Sequence, residues 1–290
     1  MCRLFGFKGN IPTKLSFFLV DASNSLIKQS VLDSRKVSNS QGWGIGFYQN
    51  NRAYIQKRAS SASFDFNFKF LTDFINTDTM IAHVREATIG EISDHNAHPF
   101  LYNNWIWAHN GTISGFELLR SVILQKLGPE LAFDIKGTTD SEYFFYLFLA
   151  NLKEHVPDVN LDKIDPIIIK DSFINTIREI NKLSTNIGAD VPSKLNVIMT
   201  NGSIMLASRY GNSLFYAVRS KALHNDVELY KDNTNLKIRF DSQDNHYSNK
   251  KKDSVMIASE PINQEDRWFE MPEQSVLLVD ENLGISISSL

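Results

Sequence analysis

The first side chain that could do chemistry is a thiol at the second position of the sequence. The chain begins "MCRLFGF", and Cys2 is its single cysteine, so it can form no intramolecular disulfide. Because aminopeptidases remove an initiator methionine that precedes a small residue, we expect the mature chain to begin at Cys2. Its free α-amine, with an ordinary pKa of about 7.7–8.0, could then accept the thiol proton. Position 2 therefore predicts a self-activated nucleophile, with an incidental buried cysteine as the alternative.

The stretch "HNGTI" offers hydrogen-bond donors for a negatively charged oxygen. Asn110 and Gly111 stand together at the predicted end of an apolar strand. The Asn110 side-chain amide and the Gly111 backbone N–H could converge on a tetrahedral oxyanion. Asn-Gly is also a common hairpin turn, so the pair by itself leaves both interpretations open.

Two further motifs carry charges that suit an amino-acid substrate. In "AHVREATIGE", the planar fork of Arg85 could bind a carboxylate in a bidentate manner, and the hydroxyl of Thr88 would lie nearby. An ordinary surface ion pair is the alternative for this arginine. In "GTTDSEYFFYLF", Asp140 stands at a predicted helix start, where it could cap the helix, accept a hydrogen bond from a substrate ammonium group, or do both.

The elements that must position these residues follow from apolar spacing. Residues 3–8 predict a strand, and 42–49 with 52–58 predict a hairpin that turns at Asn50 and Asn51. Helices are predicted at 113–127, at 140–155 with Asp140 or Ser141 as N-cap, and within 166–184. From residue 194 onward, short strands alternate with Gly, Asn and Asp turns. Strands, then helices, then strands again favour an α+β layered fold.

Two segments give less regular patterns. Residues 13–36 carry a helix-like apolar spacing that Ser and Asn interrupt. The phenylalanine-rich segment 63–76 fits an amphipathic helix through Phe66, Phe70 and Phe74, although its alternation also fits a strand. We expect a helix in both segments.

Composition limits the function classes. A hydrophobic content of 42% over 290 residues supports a sizeable core, and a net charge of −3 with mixed signs argues against nucleic acid as a partner. A single cysteine fits a reducing, cytoplasmic compartment. The apolar run "LSFFLV" is too short for a membrane span. No phosphate-binding or dinucleotide-binding glycine motif is present, so no cofactor is predicted.

Seven motifs together resemble one known family. Cys2 after Met1, "GWGIGFY", "HVREATIG", "NAHPF", "AHNGTI", "TTDSE" and "ASEPI" occur in the order seen in class II glutamine amidotransferases, which are N-terminal nucleophile hydrolases. The chain resembles their stand-alone branch, which lacks a synthase domain. The resemblance implies a four-layer αββα sandwich in a single domain over 1–290. Within it we expect a catalytic core at 2–220, an exposed excursion at 221–253 and closing strands at 254–290.

The resemblance also implies a role for each candidate residue. Cys2 would attack the γ-carboxamide of glutamine, or a γ-glutamyl compound, to form a thioester and release ammonia or an amine. The implied partners are this small-molecule substrate and an ammonia-accepting synthase; no metal is implied. The remaining roles are oxyanion stabilisation by Asn110 and Gly111, binding of the α-carboxylate by Arg85 and of the α-ammonium by Asp140, and lining of the pocket by Thr88 and His98.

Three departures from the family pattern put the substrate identity in doubt. Gln41 stands where relatives often have Asp, Glu86 where larger apolar residues are common, and Ile89 where one branch has a histidine. We expect all three near the pocket. Two behaviours therefore stay open within the class: an amidotransferase subunit that waits for its synthase, and an independent γ-glutamyl hydrolase.

Two alternatives lie outside the class. One is a metal hydrolase, because four histidines fall within 27 residues, although none shows HExxH spacing: His83, His95, His98 and His109. The other is a catalytically silent binding protein, since a fold alone does not guarantee activity.

Overall fold

The computed structural model describes residues 2–161, 163–219, 229–232, 235–238 and 253–290, with backbone alone in the two short central ranges. The strands are β1 Arg3–Lys14, β2 Trp43–Gln49, β3 Arg52–Arg58, β4 Asn76–Val84, β5 Phe100–Tyr102, β6 Trp105–Thr112, β7 Lys194–Thr200, β8 Met205–Arg209, β9 Phe215–Arg219, β10 Leu229–Asp232, β11 Asn235–Ile238, β12 Ser254–Ala258, β13 Trp268–Glu270, β14 Ser275–Val279 and β15 Ile285–Ser289. The helices are α1 Leu26–Val31, α2 Phe66–Phe74, α3 Phe116–Lys126, α4 Gly128–Asp134, α5 Asp140–Lys153 and α6 Pro166–Asn186.

The strands form two antiparallel sheets. Sheet A has the order β13-β9-β12-β1-β4-β2-β3, and sheet B has the order β10-β11-β15-β14-β8-β7-β6-β5. The first strand of the chain thus lies in the middle of sheet A, between β12 and β4. The predicted hairpin is confirmed as β2 and β3, with Asn50 and Asn51 both at positive φ in its turn.

Three apolar clusters separate four layers. The inner cluster packs sheet A against sheet B, the A-side cluster packs sheet A against α1 and α2, and the B-side cluster packs sheet B against helices α3 to α6. Because successive side chains of a strand point to opposite faces of its sheet, each central strand contributes to two clusters. In β1, Leu4 joins the inner cluster and Phe5 the A-side cluster; in β6, Ala108 joins the inner cluster and Trp107 the B-side cluster. The αββα sandwich is confirmed.

Burial on both faces explains the unbroken apolar runs in the central strands. Every residue of β12 is buried, as is every residue of β14, so neither strand shows the polar alternation of a half-exposed sheet. Ring contacts join β6 to α5, where Trp107 stacks on Phe145 and Phe148 with ring centroids 5.4 and 5.7 Å apart. This packing holds β6 against α5.

The interrupted helix-like spacing over 13–36 is confirmed only in part. Strand β1 continues to Lys14 because Thr13 and Lys14 pair with the start of β4, and only a π-helical turn at Phe17–Asp21 and the six-residue α1 follow. The backbone N–H of Asn24 donates to the carbonyl of Ile262, and its side chain donates to Pro261. These tertiary bonds replace the helical ones across the polar interruption.

The phenylalanine-rich segment is helical, as predicted, over Phe66–Phe74. Asp65 caps α2 by accepting a hydrogen bond from the backbone N–H of Asn67 at 2.9 Å, and it also accepts one from the Trp43 indole. Apart from the backbone of β10 and β11 and from Asp253, the excursion expected at 221–253 lies outside the described residues. None of the described helices is long and apolar enough to cross a membrane.

Candidate active site

Cys2 lies directly before the central strand of sheet A, beside the segment that follows β4. Arg3 pairs with Val84 in antiparallel register, so Cys2 lies beside the residues that follow Val84. The Cys2 thiol donates to the carbonyl of Glu86 at 3.3 Å, and the Glu86 N–H donates to the sulfur at 3.4 Å. Burial raises the pKa of Cys2 to about 11, against the opposing effect of the positive chain terminus and of Arg85. The thiol therefore stays protonated at neutral pH unless a base takes its proton.

A buried arginine anchors the backbone of the nucleophile. Arg3 donates from Nη1 to the carbonyl oxygen of Cys2 at 3.1 Å. The same guanidinium forms ion pairs with Asp33 at 2.7 Å and with Glu260 at 2.5 Å. All three charged side chains are almost fully buried. The chain ahead of β1 is thus held by a charged cluster as well as by strand pairing.

Each carboxylate of this cluster has further donors. Asp33 accepts from the backbone N–H groups of Arg35 and Val37 and from the Asn39 amide. Burial raises the pKa of Asp33, but these hydrogen bonds and the Arg35 side chain outweigh it and lower the pKa to about 2. Glu260 accepts from the backbone N–H of Ser34. Asp33 is therefore held in the ionised form that pairs with Arg3.

Asn110 lies in β6, with its side chain directed toward the start of β1. Its Nδ2 donates to the hydroxyl of Ser259 at 3.4 Å, and that hydroxyl accepts from the backbone N–H of Leu4 at 2.9 Å. The Asn212 amide donates to the Asn110 carbonyl and fixes its backbone. One serine therefore links the predicted oxyanion donor to a residue two positions from the nucleophile.

Gly111 is required by close packing of two strands. A Cβ at this position would lie 1.8 Å from the carbonyl oxygen of Lys194. Asn110 and Gly111 pair with Asn196 and Leu195 of β7, so the hairpin-turn interpretation of Asn-Gly is wrong.

Arg85 follows β4 and is buried rather than paired on the surface. Its Nη1 and Nη2 donate to the carbonyls of Glu91 and Ile89 at 3.1 and 2.9 Å. Burial lowers the pKa of Arg85, while the nearby Cys2 and Asp140 raise it. Cys2 and Asp140 thus both belong to the electrostatic surroundings of Arg85.

Thr88 is exposed at the tip of the loop 85–91. Its hydroxyl lies 3.4 Å from that of Thr112 at the end of β6. The Gln41 side chain accepts from the backbone N–H of Ala87 at 2.7 Å, and Gln41 donates through its own N–H to the Arg85 carbonyl. Gln41, one of the three departures from the family pattern, therefore shapes this loop.

Asp140 is the first residue of α5 and joins that helix to β6. Its Oδ2 accepts from the backbone N–H of Ile113 at 2.8 Å, and its Oδ1 accepts from the N–H of Ser141 at 2.9 Å. Burial raises its pKa, and His109 acts in the opposite direction. The N-cap expected at Asp140 or Ser141 is instead Thr139, whose hydroxyl accepts from the N–H of Glu142. The Asp140 carboxylate is thereby free of the capping role.

His98 lies in the layer beneath the site. Its ring packs 4.3 Å from that of His83 and 4.7 Å from that of Phe100, measured between centroids. Neither ring nitrogen of His98 has a hydrogen-bond partner within the described part of the chain. Burial lowers its pKa well below the ordinary value. These contacts do not test whether His98 lines the pocket, so that role stays a prediction.

The histidine-rich segment provides no metal site in the ranges that the structure describes. No group of three or more His, Cys, Asp or Glu side chains converges there. His109 bonds through Nδ1 to the Ser141 hydroxyl at 2.8 Å and through Nε2 to the Lys194 carbonyl at 2.9 Å. Its two ring nitrogens therefore connect β6 to α5 and β7.

Sequence reasoning missed several residues that position the site. Arg3 is a charged residue within an apolar strand, and this position could have indicated a buried ion pair. Ser259 and Glu260 belong to "ASEPI", and Asn96 belongs to "NAHPF". Neither motif predicts which residues these side chains contact. Asn96 donates to the Glu91 carbonyl and accepts from the N–H of Thr138, so it ties the Arg85 loop to the start of α5.

The family model described as "Glutamine amidotransferases class-II" matches residues 1–283. The chain is 30% identical over 304 residues to "Probable glutamine amidotransferase DUG3" of Saccharomyces cerevisiae, covering 96% of this chain and 82% of that protein. It is 23% identical to a "Gamma-glutamyl-hercynylcysteine sulfoxide hydrolase" of Mycobacterium tuberculosis, covering 100% and 97% of the two chains.

Among solved structures, a glutamine aminotransferase class-II domain protein from Silicibacter pomeroyi superposes with a TM-score of 0.63 and 20% identity, over 99% of both chains. At that identity the likeness concerns the fold alone. The match to the family extends over nearly the whole chain and includes every motif around Cys2. The chain is therefore an enzyme of the class II glutamine amidotransferase family.

Proposed function

We propose that this chain cleaves the γ-amide of glutamine with Cys2 as nucleophile, through a γ-glutamyl thioester. The observation that carries the proposal is the contact of the Cys2 sulfur with the backbone of Glu86, the residue after Arg85, with Asp140 close enough to influence the pKa of both Cys2 and Arg85. A free amino acid with an amide side chain presents one carboxylate, one ammonium and one scissile carbonyl. The site offers one cation, one anion and one nucleophile to receive them.

The nucleophile needs a base, and its own α-amine supplies one after Met1 is removed. A thiol with a pKa of about 11 is protonated at neutral pH, so the thiolate must be generated at the moment of attack. The amine takes the thiol proton, and sulfur attacks the γ-carbonyl carbon. The amine then gives that proton to the leaving nitrogen, which departs as ammonia. Water, deprotonated by the same amine, hydrolyses the thioester and releases glutamate.

The oxyanion of each tetrahedral intermediate is assigned to Asn110 and Gly111. The Asn110 Nδ2 now donates weakly, at 3.4 Å, to Ser259, so it can turn to a stronger, negatively charged acceptor. A Gly111 backbone N–H needs no side-chain rearrangement to take part. Each donor contributes roughly 3–4 kcal/mol to transition-state stabilisation in comparable acyl-transfer sites.

Arg85 and Asp140 are assigned to the two ends of the substrate backbone. The guanidinium now donates to two loop carbonyls, so a bound carboxylate either shares these donors or displaces the loop. Asp140 has one hydrogen bond from the Ile113 backbone N–H to Oδ2 and a lone pair that remains for an ammonium donor. Both charged groups are buried, which strengthens their interaction with a zwitterionic ligand.

Intact mass spectrometry with 6-diazo-5-oxonorleucine, an electrophilic glutamine mimic, tests this proposal, with Cys2→Ala as the matched control. We expect loss of one methionine and a single adduct in the wild-type chain alone. Complete methionine removal without an adduct would contradict glutamine as the substrate. An adduct that persists in Cys2→Ala would contradict the assigned nucleophile.

A γ-glutamyl hydrolase is the second candidate function. It is supported by the end-to-end similarity to the Mycobacterium tuberculosis hydrolase, and the same thioester chemistry would release an amine in place of ammonia. As an amidotransferase subunit, the chain would instead deliver ammonia to a synthase partner. Comparing turnover of glutamine and of γ-glutamyl dipeptides by the purified chain separates the two. Turnover of the dipeptides with glutamine inert would favour the hydrolase.

A further inference from the structure

Four phenylalanines on one side of α2 and its N-terminal approach face solvent. This aromatic stripe consists of Phe64, Phe66, Phe70 and Phe74, which are 92%, 74%, 47% and 68% exposed. Ring centroids lie 5.8 Å apart between Phe66 and Phe70 and 4.5 Å apart between Phe70 and Phe74. The opposite face of α2 is buried through Phe68. Phe66, Phe70 and Phe74 thus form a continuous aromatic surface that packing on sheet A does not require, and Phe64 is exposed just ahead of them.

The exposed area is large for a surface that serves no contact. With about 200 Å² for a whole phenylalanine, these exposed fractions leave on the order of 550 Å² of aromatic surface. Contiguous apolar patches of this size on a protein surface mark interaction sites. The stripe lies on the A side of the sandwich and contains none of the residues assigned to the reaction.

We propose that the aromatic stripe binds a second copy of this chain, with the two α2 helices packed antiparallel about a two-fold axis. Two stripes brought together would bury about 1,100 Å², close to the lower limit of specific protein–protein interfaces. A two-fold contact needs a self-complementary surface, and phenylalanines spaced four residues apart on both helices provide one.

The charges beside the aromatic stripe also favour binding of a second copy of this chain. Lys69 and Asp73 are exposed, stand four residues apart on α2, and have no ion-pair partner within the described ranges. When two copies of α2 run in opposite directions, Lys69 of one copy faces the end of the helix that carries Asp73 of the other. The stripe is therefore flanked by charges that attract an inverted copy of itself.

Sedimentation equilibrium over a wide concentration range tests the proposal. We expect the wild-type chain to dimerise and Phe70→Asp to remain monomeric, because that variant would bury an unpaired charge at the centre of the contact. Phe133→Asp, at an even more exposed phenylalanine on α4, is the control for adding a charge at an exposed ring and should dimerise like the wild type. A wild-type chain that stays monomeric, or a Phe70→Asp variant that dimerises normally, would overturn the proposal.

Charge reversal distinguishes an antiparallel self-contact from other uses of the stripe. Lys69→Asp alone and Asp73→Lys alone should each dimerise more weakly, since like charges then face each other. An equimolar mixture of the two variants should form a heterodimer, and the double variant should recover wild-type association. Failure of the mixture to associate would overturn the antiparallel arrangement. A monomeric wild type whose Phe70 mediates flotation with phospholipid vesicles would assign the stripe to a membrane surface instead.

Discussion

The guanidinium of Arg3 donates a hydrogen bond to the carbonyl oxygen of Cys2 while it lies between two buried carboxylates. Cys2, our proposed nucleophile, is thus positioned by the side chain of its own neighbour. The residues that hold that side chain, Asp33 and Glu260, are separated by more than 200 positions in the sequence. Both the stability of the fold and the placement of the thiol depend on this cluster.

Replacing Arg3 should therefore affect both properties. Arg3→Met removes the buried cation and leaves the Asp33 and Glu260 carboxylates without their shared partner, so we expect a loss of about 3–5 kcal/mol in the free energy of unfolding. Arg35→Met is the matched control; it removes a half-exposed partner of Asp33 and should cost about 1 kcal/mol or less. Urea unfolding measures both. Equal losses in the two variants would contradict the anchoring role.

Asn110→Ala should impair catalysis far more than folding. Removing one oxyanion donor is expected to lower kcat for amide hydrolysis about 100- to 1,000-fold. Asn212→Ala, which removes a donor to the Asn110 backbone and leaves the Asn110 side chain intact, is the control and should retain most activity. Steady-state rates, with circular dichroism to confirm folding, provide the measurement. A fully active Asn110→Ala variant would refute the assignment.

Asp140→Asn should weaken substrate binding while preserving the junction between β6 and α5. An asparagine oxygen can still accept the Ile113 N–H, but the charge that would attract an ammonium group is lost. We expect KM for glutamine to rise about ten- to hundredfold, with a smaller change in kcat. Ser141→Ala, at the adjacent position, is the control. A rise in KM of equal size in both variants would point to a structural effect instead.

Acid should destabilise the chain partly through Asp33. The folded-state pKa of about 2 lies below the ordinary value of 3.8, so the folded form binds fewer protons than the unfolded form. The resulting stabilisation, about 2 kcal/mol, is complete above pH 4 and is lost as the pH falls toward 2. The difference in unfolding free energy between wild type and Asp33→Asn should accordingly shrink across that window. A difference that stays constant between pH 5 and pH 2 would contradict this contribution of Asp33.

The residues to which we assign the chemistry could be singled out from the sequence because their types are unusual at their positions. A thiol at position 2, an arginine directly after an apolar strand and an Asn-Gly pair at the end of another each have few explanations. Their neighbours were not predictable. Ser259 reaches Asn110 only because β12 pairs with β1, and no local pattern near either residue encodes that pairing.

The errors in secondary structure have the same origin. Apolar spacing over 13–36 suggested a helix, but Thr13 and Lys14 extend β1 by pairing with β4. Asn24 then bonds to the distant segment around Pro261 instead of to its own turn. In α2 the local pattern prevailed, because Asp65 supplies a cap and Phe68 a buried contact. Where a neighbouring strand can pair with the same residues, this tertiary pairing prevails over the helix that the apolar spacing favours.

The four tryptophans are divided between the two outer layers of the sandwich. Trp43 and Trp268 pack in the A-side cluster, whereas Trp105 and Trp107 pack in the B-side cluster. Each cluster between a sheet and its helices thus has its own tryptophans, all of them on strands, and the inner cluster between the sheets has none. In a variant whose tryptophans of one cluster are replaced by phenylalanine, the remaining tryptophan fluorescence would report the unfolding of the other cluster alone. Comparing the two variants would therefore show the order in which the two clusters unfold.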